Sequence, residues 1–328
     1  MTKFIIRRLF LGAIIVFLGA MVLYAVIRCL PTSYVENIAR QRASLPGGKS
    51  YTEWLSQLNS VYSLDTDIFT GFFRWAGHAI QGEFGDSWAF NMPVVQKFSN
   101  VIWYSVVVNA ITLIVEMGAC IPLGILAARR QYSAVDYAVT VFALMGLSLP
   151  SFFLATLLKY IFSVRLNWLD LYGVVGRFYE QMNGWGKFWD MAAHMILPVA
   201  TLSMLSIGGL MRYTRTNMLE VLGADYIRTA RAKGLSEKAV INKHAFRNTL
   251  IPLVTYLSYL LPSMFAGSLI TETLFQIPGI GYISFQAIVA GDIPFTMFYL
   301  VFTFLLTQVS LIVADIMYAV VDPRVRVN

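Results

Sequence analysis

Ionisable side chains are sparse in this chain, and their spacing limits the chemistry they can do. The three histidines, His78, His194 and His244, stand far apart, without the spacing of a metal site. No Gly-x-Ser-x-Gly elbow is present, and no nucleophile is paired with a base. Gly48, Lys49 and Ser50 look like the end of a phosphate-binding loop, but that motif needs glycine where Ala43 stands. The chain therefore reads as non-catalytic, with no metal and no nucleotide-binding site of its own.

Polar groups inside apolar runs are the next candidates, because ionisable side chains in a membrane are costly and functional by default. Ser105, Asn109, Thr112 and Glu116 are spaced i, i+4, i+7 and i+11, which puts them on one helix face. Two readings of this stripe stand. It lines a translocation path, or it bonds across a helix interface and holds a bundle together. Glu272 and Asp315 read as structural intramembrane partners for polar groups on neighbouring helices. His194 reads as a satisfied interfacial residue.

The elements that must position these groups follow from composition. The 328 residues are 57% hydrophobic and 13% charged, against about 25% charge in ordinary soluble domains. The net charge of +7 does not form a stripe with interleaved aromatics, so nucleic-acid binding is excluded. Instead the cations sit at the ends of apolar runs. A membrane-crossing helix needs about 20 mostly apolar residues. Six runs qualify: 9–30, 101–128, 135–164, 191–211, 250–274 and 294–321. Lys3, Arg7 and Arg8 precede the first, Arg129 and Arg130 close the second, and Arg324 and Arg326 follow the last. Short basic segments stay inside, so both termini are expected in the cytoplasm. Residues 31–100 are then external and too long for a structureless connector. An amphipathic stretch from Thr70 to Gln81 suggests a small folded cap resting partly on the bilayer, with Trp75, Trp88 and Trp103 in an interfacial belt. Cys29 and Cys120 fall at different depths and are not expected to pair.

The longest inner segment interrupts the apolar sequence. From Arg212 to Arg247 it holds eight Lys/Arg against three acids, and its pattern suggests two short helices joined at Gly234. A helical hairpin beneath a membrane bundle is shaped to dock onto a soluble partner. Its run from Arg228 to Gly234, followed by Leu235, Ser236 and Glu237, resembles the EAA loop of ABC importer permeases. The form is that of the dipeptide/oligopeptide/nickel branch. Only Ala230 keeps the general Glu-Ala-Ala run, and His244 to Arg247 stand where the general pattern has Ile-x-Leu-Pro. Other stretches carry the same resemblance in order. They are Arg7 to Leu9, Gly82 to Ser87, Pro93-Val94, Leu149 to Phe153, Asn167 to Leu169, His194 to Pro198 and Arg212 to Glu220. The series closes with Glu272, Phe275, Pro278 to Gly281, Asp292 to Pro294, Asp315 and Asp322 to Arg324. Leu30 to Ser33 and Gly291 depart from the branch.

The resemblance implies an all-α polytopic membrane protein of six transmembrane helices, the type I ABC importer permease fold. Its parts would be residues 1–30 with the first helix, an external cap at 31–100, and a core at 101–328 with the coupling loop 212–249. It implies a bacterial or archaeal cytoplasmic membrane. The implied partners are a homologous second permease in a heterodimer, two ABC ATPase subunits that bind ATP and Mg, and an extracytoplasmic substrate-binding protein. Asp225, Tyr226, Arg228, Thr229, Ala230, Arg231, Ala232, Lys233, Gly234 and Leu235 would form the ATPase-coupling site, with Ala230 and Gly234 small enough for close approach. Short peptides are the implied cargo, with nickel chelates, glutathione-like peptides or oligosaccharides as alternatives. From another class, a stand-alone secondary transporter would show paired broken helices in matching halves. It would also leave the basic loop unexplained.

Overall fold

The computed structural model describes residues 2–29, 34–44, 49–61 and 66–321. Leu30 to Ser33, Pro46 to Gly48 and the closing Asp322 to Arg324 motif lie outside them. Among the described residues the structure is helical apart from one short strand pair. The first part holds α1 (Thr2–Arg28), α2 (Tyr34–Ala43), α3 (Tyr51–Val61) and α4 (Ile68–Ile80), then β1 (Asp86–Ser87) antiparallel to β2 (Met92–Pro93). It continues with α5 (Val94–Arg129), α6 (Ala134–Ser148), α7 (Ser151–Lys159) and α8 (Gly184–Leu222). After these come α9 (Asp225–Ala232), α10 (Glu237–Ala239), α11 (Phe246–Ala266), α12 (Leu269–Phe275), α13 (Ile280–Ala290) and α14 (Ile293–Val321).

Ile6–Arg28, α5, α8 and Ile293–Asp315 are each long and apolar enough to cross a membrane. One apolar helix pair is bent instead: Ala134–Ser148 with Ser151–Arg165 by 103°. The run expected as the third span, 135–164, is thus broken at Leu149-Pro150. Pro150 has no N–H to donate, and a residue before proline is driven out of the helical region; Leu149 sits at φ −86°, ψ 131°. The fifth run, expected to reach residue 274, ends as a helix at Ala266, because Gly267 takes φ 76°. The remaining apolar residues of that run form α12. At 36 and 39 residues, α5 and α8 extend about 54 and 58 Å, well past the ~30 Å of a bilayer core. The excess length of α8 carries the polar turns around Arg215.

The chain divides into two compact units, Met1–Trp103 with Gly279–Ile312, and Tyr104–Pro278 with Val313–Asn328. In the first, α1 packs on α4 edge-to-face, with Phe72 5.4 Å from Phe17 and 5.9 Å from Tyr24. Val35, Ala39 and Leu58 join α2 to α3. Asp292 is fully buried and caps α14, accepting from Phe295 N–H at 3.1 Å. Its other carboxylate oxygen accepts from the Ser87 hydroxyl and from Ala89 N–H. Two motifs far apart in sequence therefore form one joint.

In the second unit, α6 and α8 touch through reciprocal glycines. A Cβ at Gly146 would lie 2.2 Å from the Met204 carbonyl oxygen, and one at Gly208 2.6 Å from that of Ala143. Small residues let membrane helices approach this closely. Behind them Cys120, Leu210, Met211 and Leu253 bring α5, α8 and α11 onto one buried cluster.

Candidate functional site

The second unit carries two polar features. One is a cavity of ≈ 390 Å³ lined by α5, α8, α11 and the Gly267-Ser268 break. Asn109, Thr112 and Glu116 line it from α5, and Ser206, Gly209, Tyr256, Ser263 and Ser268 add polar or small surface. Ser105, the first member of the stripe, does not line it. Ser105 is fully buried, and its hydroxyl donates to the Glu272 carboxylate at 2.6 Å. The same oxygen of Glu272 accepts from Ser268 N–H at 2.9 Å. The Ser268 hydroxyl donates to Asn109 at 3.2 Å, and Asn109 donates to the Ser105 carbonyl at 2.9 Å. Thr112 back-bonds to the Val108 carbonyl at 2.8 Å. The stripe is therefore divided. Its upper half anchors the break before α12, and its lower half, down to Glu116, faces the cavity. Glu116 has no side-chain hydrogen bond among the described residues. Asp315 is half-buried in α14.

The other feature is the basic hairpin. The helix α9 is amphipathic. Ile227 and Ala230 are buried in a cluster with Ala128 of α5, Met218 of α8, and Val240, Ile241 and Ala245 ahead of α11. Asp225, Tyr226, Arg228, Thr229, Arg231, Ala232, Lys233 and Leu235 are exposed. Ala230 thus packs against its own chain, and its smallness serves that internal contact. The helix ends in a Schellman turn: Leu235 N–H donates to the Ala230 carbonyl at 3.4 Å and Gly234 N–H to that of Arg231 at 2.9 Å. Gly234 takes φ 76°, and a Cβ there would meet nothing within 4 Å. Conformation, not crowding within the chain, selects glycine. Beyond Ser236, which caps α10, the chain is helical without a break into α11. The expected second short helix is thus the start of a long one.

Charges in the hairpin are partly spoken for. Arg231 grips Glu237 through two nitrogens, at 2.8 and 3.2 Å. That hydrogen-bonded guanidinium holds the Glu237 carboxyl below its usual range, and Glu237 in turn raises Arg231. Arg228 stands 3.6 Å from Asp225, both exposed. The Tyr226 hydroxyl meets Asn248 Nδ2 at 3.2 Å, tying α9 to α11.

Sequence reasoning missed one pair. Asp136 on α6 and Arg215 on α8 form a bidentate contact of 2.7 and 2.8 Å, with Asp136 3% exposed. Tyr132 N–H also donates to Asp136 at 3.0 Å. The only signal was the polarity of Asp136 at the start of the apolar run 135–164. His194 is buried, with Nε2 3.3 Å from Asp170 and Nδ1 2.7 Å from the Asp190 carbonyl. Cys29 and Cys120 are both free thiols.

Residues 120–327 match the family model described as binding-protein-dependent transport system inner membrane component. The chain is 33% identical over 328 residues to the oligopeptide transport system permease protein AppB of Bacillus subtilis, covering 99% of this chain and 100% of that one. It is 32% identical over 327 residues to the dipeptide transport system permease protein DppB of Lactococcus lactis, at 99% and 100% coverage. The DppB protein of Escherichia coli is 34% identical over 345 residues, at 99% of each chain.

Proposed function

The chain belongs to the family of binding-protein-dependent transport system inner membrane components, and on that premise we propose that it is the permease subunit of an ATP-driven ABC importer of short peptides. It is a multi-pass membrane protein. In our reading it pairs with a homologous permease, two ATPases bind below, and an extracytoplasmic binding protein delivers peptide from above. Both termini and the 212–249 loop are cytoplasmic, and ATP and Mg sit on the ATPases.

The observation that carries this reading is the two-sided construction of α9. Its outer face presents Tyr226, Arg228, Ala232 and Lys233 to a partner. Its inner face is embedded in one apolar cluster with the ends of α5 and α8 and the approach to α11. A push on α9 is passed to three long helices at once, because a packed cluster moves as a body. Those helices wall the cavity beside Glu116. Closure of the ATPase pair would then tilt the walls and turn the cavity from one side of the membrane to the other. The cavity is weakly polar, which suits passage without tight binding.

The test is reconstitution with the ATPases and the binding protein. Arg228→Glu with Lys233→Glu is expected to abolish peptide uptake and ATPase co-purification while leaving the melting temperature unchanged. Wild-type uptake by this variant would refute the coupling role. Orientation is read in a Cys29→Ser background, where an impermeant thiol reagent should label Ser50→Cys and spare Ser236→Cys in intact cells.

A further inference from the structure

The cavity beside Glu116 holds one charged side chain and an uneven set of hydrogen-bonding groups. Glu116 is 6% exposed, lines the cavity from α5 and has no side-chain hydrogen bond among the described residues. The Ser203 hydroxyl of α8 is sealed without a partner, whereas the Glu116 carboxylate is not sealed and reaches the cavity. No lysine, arginine or histidine stands on the wall. The hydroxyls of the wall have largely spent their protons. Thr112 donates to the Val108 carbonyl at 2.8 Å, Ser206 to that of Leu202 at 3.1 Å and Ser263 to that of Leu260 at 2.6 Å. Each is left with oxygen lone pairs to offer the cavity. Among the lining side chains, the donors that remain are the Tyr256 hydroxyl and one N–H of Asn109. The last turn of α11 ends on the same wall, at Ser263, Met264 and Gly267, and a helix C-terminus carries partial negative charge.

A wall rich in acceptors around one unpartnered carboxylate calls for a cation that brings its own donors. A carboxylate is costly to keep ionised in a membrane without a partner, and an incoming cation supplies that partner. No group of three metal-ligating side chains occurs among the described residues, so the cation is one held by hydrogen bonds. A primary ammonium has three N–H donors and no acceptor, which matches a carboxylate flanked by hydroxyl oxygens. We propose that Glu116 and the acceptors around it form a docking point for the α-ammonium group of the travelling peptide. Every linear peptide with a free amino terminus presents that group, so the site does not choose among side chains. One ion pair in a cavity of ≈ 390 Å³ that otherwise offers neutral groups is weak enough to let the cargo leave. The source of the ammonium rests on the peptide-importer reading; the preference of the cavity for a donor-bearing cation does not.

The test uses the full complex in nanodiscs, in a Cys29→Ser, Cys120→Ala background carrying Met264→Cys as a reporter on the cavity wall. The rate at which a neutral thiol reagent labels that cysteine is read by mass spectrometry. Millimolar trialanine is expected to slow the labelling, while N-acetyl-trialanine, which lacks only the ammonium, leaves it unchanged. Glu116→Gln should raise the trialanine concentration for half protection about tenfold or more, and Glu116→Asp should raise it less. Equal protection by the two peptides, protection by neither, or unaltered trialanine protection in Glu116→Gln overturns the proposal. Protection by sodium or potassium chloride without peptide, where choline chloride gives none, overturns it in favour of a metal cation. Uptake of trialanine by the same complex is measured in parallel. Absent uptake with ammonium-dependent protection intact sinks the importer reading alone, and normal uptake without that protection sinks only this site.

Discussion

The Ser105 hydroxyl donates to the Glu272 carboxylate at 2.6 Å across 167 residues of chain, and both side chains are buried. The contact fastens α5 to the short helix that follows the Gly267 break. The same Glu272 oxygen keeps its bond from Ser268 N–H, so removing the hydroxyl loses one hydrogen bond without stranding the acceptor. Ser105→Ala is therefore expected to lower the stability of the purified protein by about 0.5–1.5 kcal/mol, with a smaller loss for Ser105→Thr. A melting curve in detergent superimposable on wild type would refute this anchor.

Asp136 and Arg215 make a second fastening, between α6 and α8. Removing one partner of a nearly buried pair leaves the other charge uncompensated. Asp136→Ala should destabilise by about 3 kcal/mol. Adding Arg215→Met should recover part of that loss, because the stranded cation goes too. A double-mutant cycle with no coupling energy would mean the pair contributes nothing.

Glu116 differs from Glu272 in lining the cavity and in lacking a hydrogen-bonding partner among the described residues. Glu116→Gln keeps the shape and removes the charge. It should leave the melting temperature unchanged and alter the rate of ATP-driven uptake similarly for all peptides. Wild-type uptake with a depressed melting temperature would show a structural carboxylate instead.

Gly234 occupies a left-handed position with open space around it. Gly234→Ala should cost about 1 kcal/mol of backbone strain, and Gly234→Asn less, since asparagine tolerates that region. Gly234→Glu should in addition reduce ATPase co-purification. If alanine and glutamate variants retain the ATPases equally, the partner does not approach this turn.

The Arg231–Glu237 contact predicts a local pH response. The folded carboxyl lies below its ordinary value of 4.5, so its stabilisation is complete above that value and is lost as pH falls through the lowered one. Amide exchange across 225–245 should quicken in that acid window, and Glu237→Gln should remove the dependence. Both side chains are substantially exposed, so the effect is local and does not unfold the protein.

The apolar runs, the amphipathic hairpin and the family were legible in sequence because each is written locally. Apolar runs near 20 residues name membrane helices, and the Arg228 to Leu235 run is contiguous. Even the bend at Leu149-Pro150 is a local proline effect, one that hydropathy alone does not register. Partnership was not legible. The 3.6-residue period puts Ser105, Asn109, Thr112 and Glu116 on one face. It cannot tell which of them meets a carboxylate 167 residues away and which meets a cavity. Nor does it separate Ala230, turned into the core, from Ala232, turned out. Those assignments come from where helices cross. Crossing is set by long-range packing at close approaches such as Gly146 on Met204 and Gly208 on Ala143, which no local window contains.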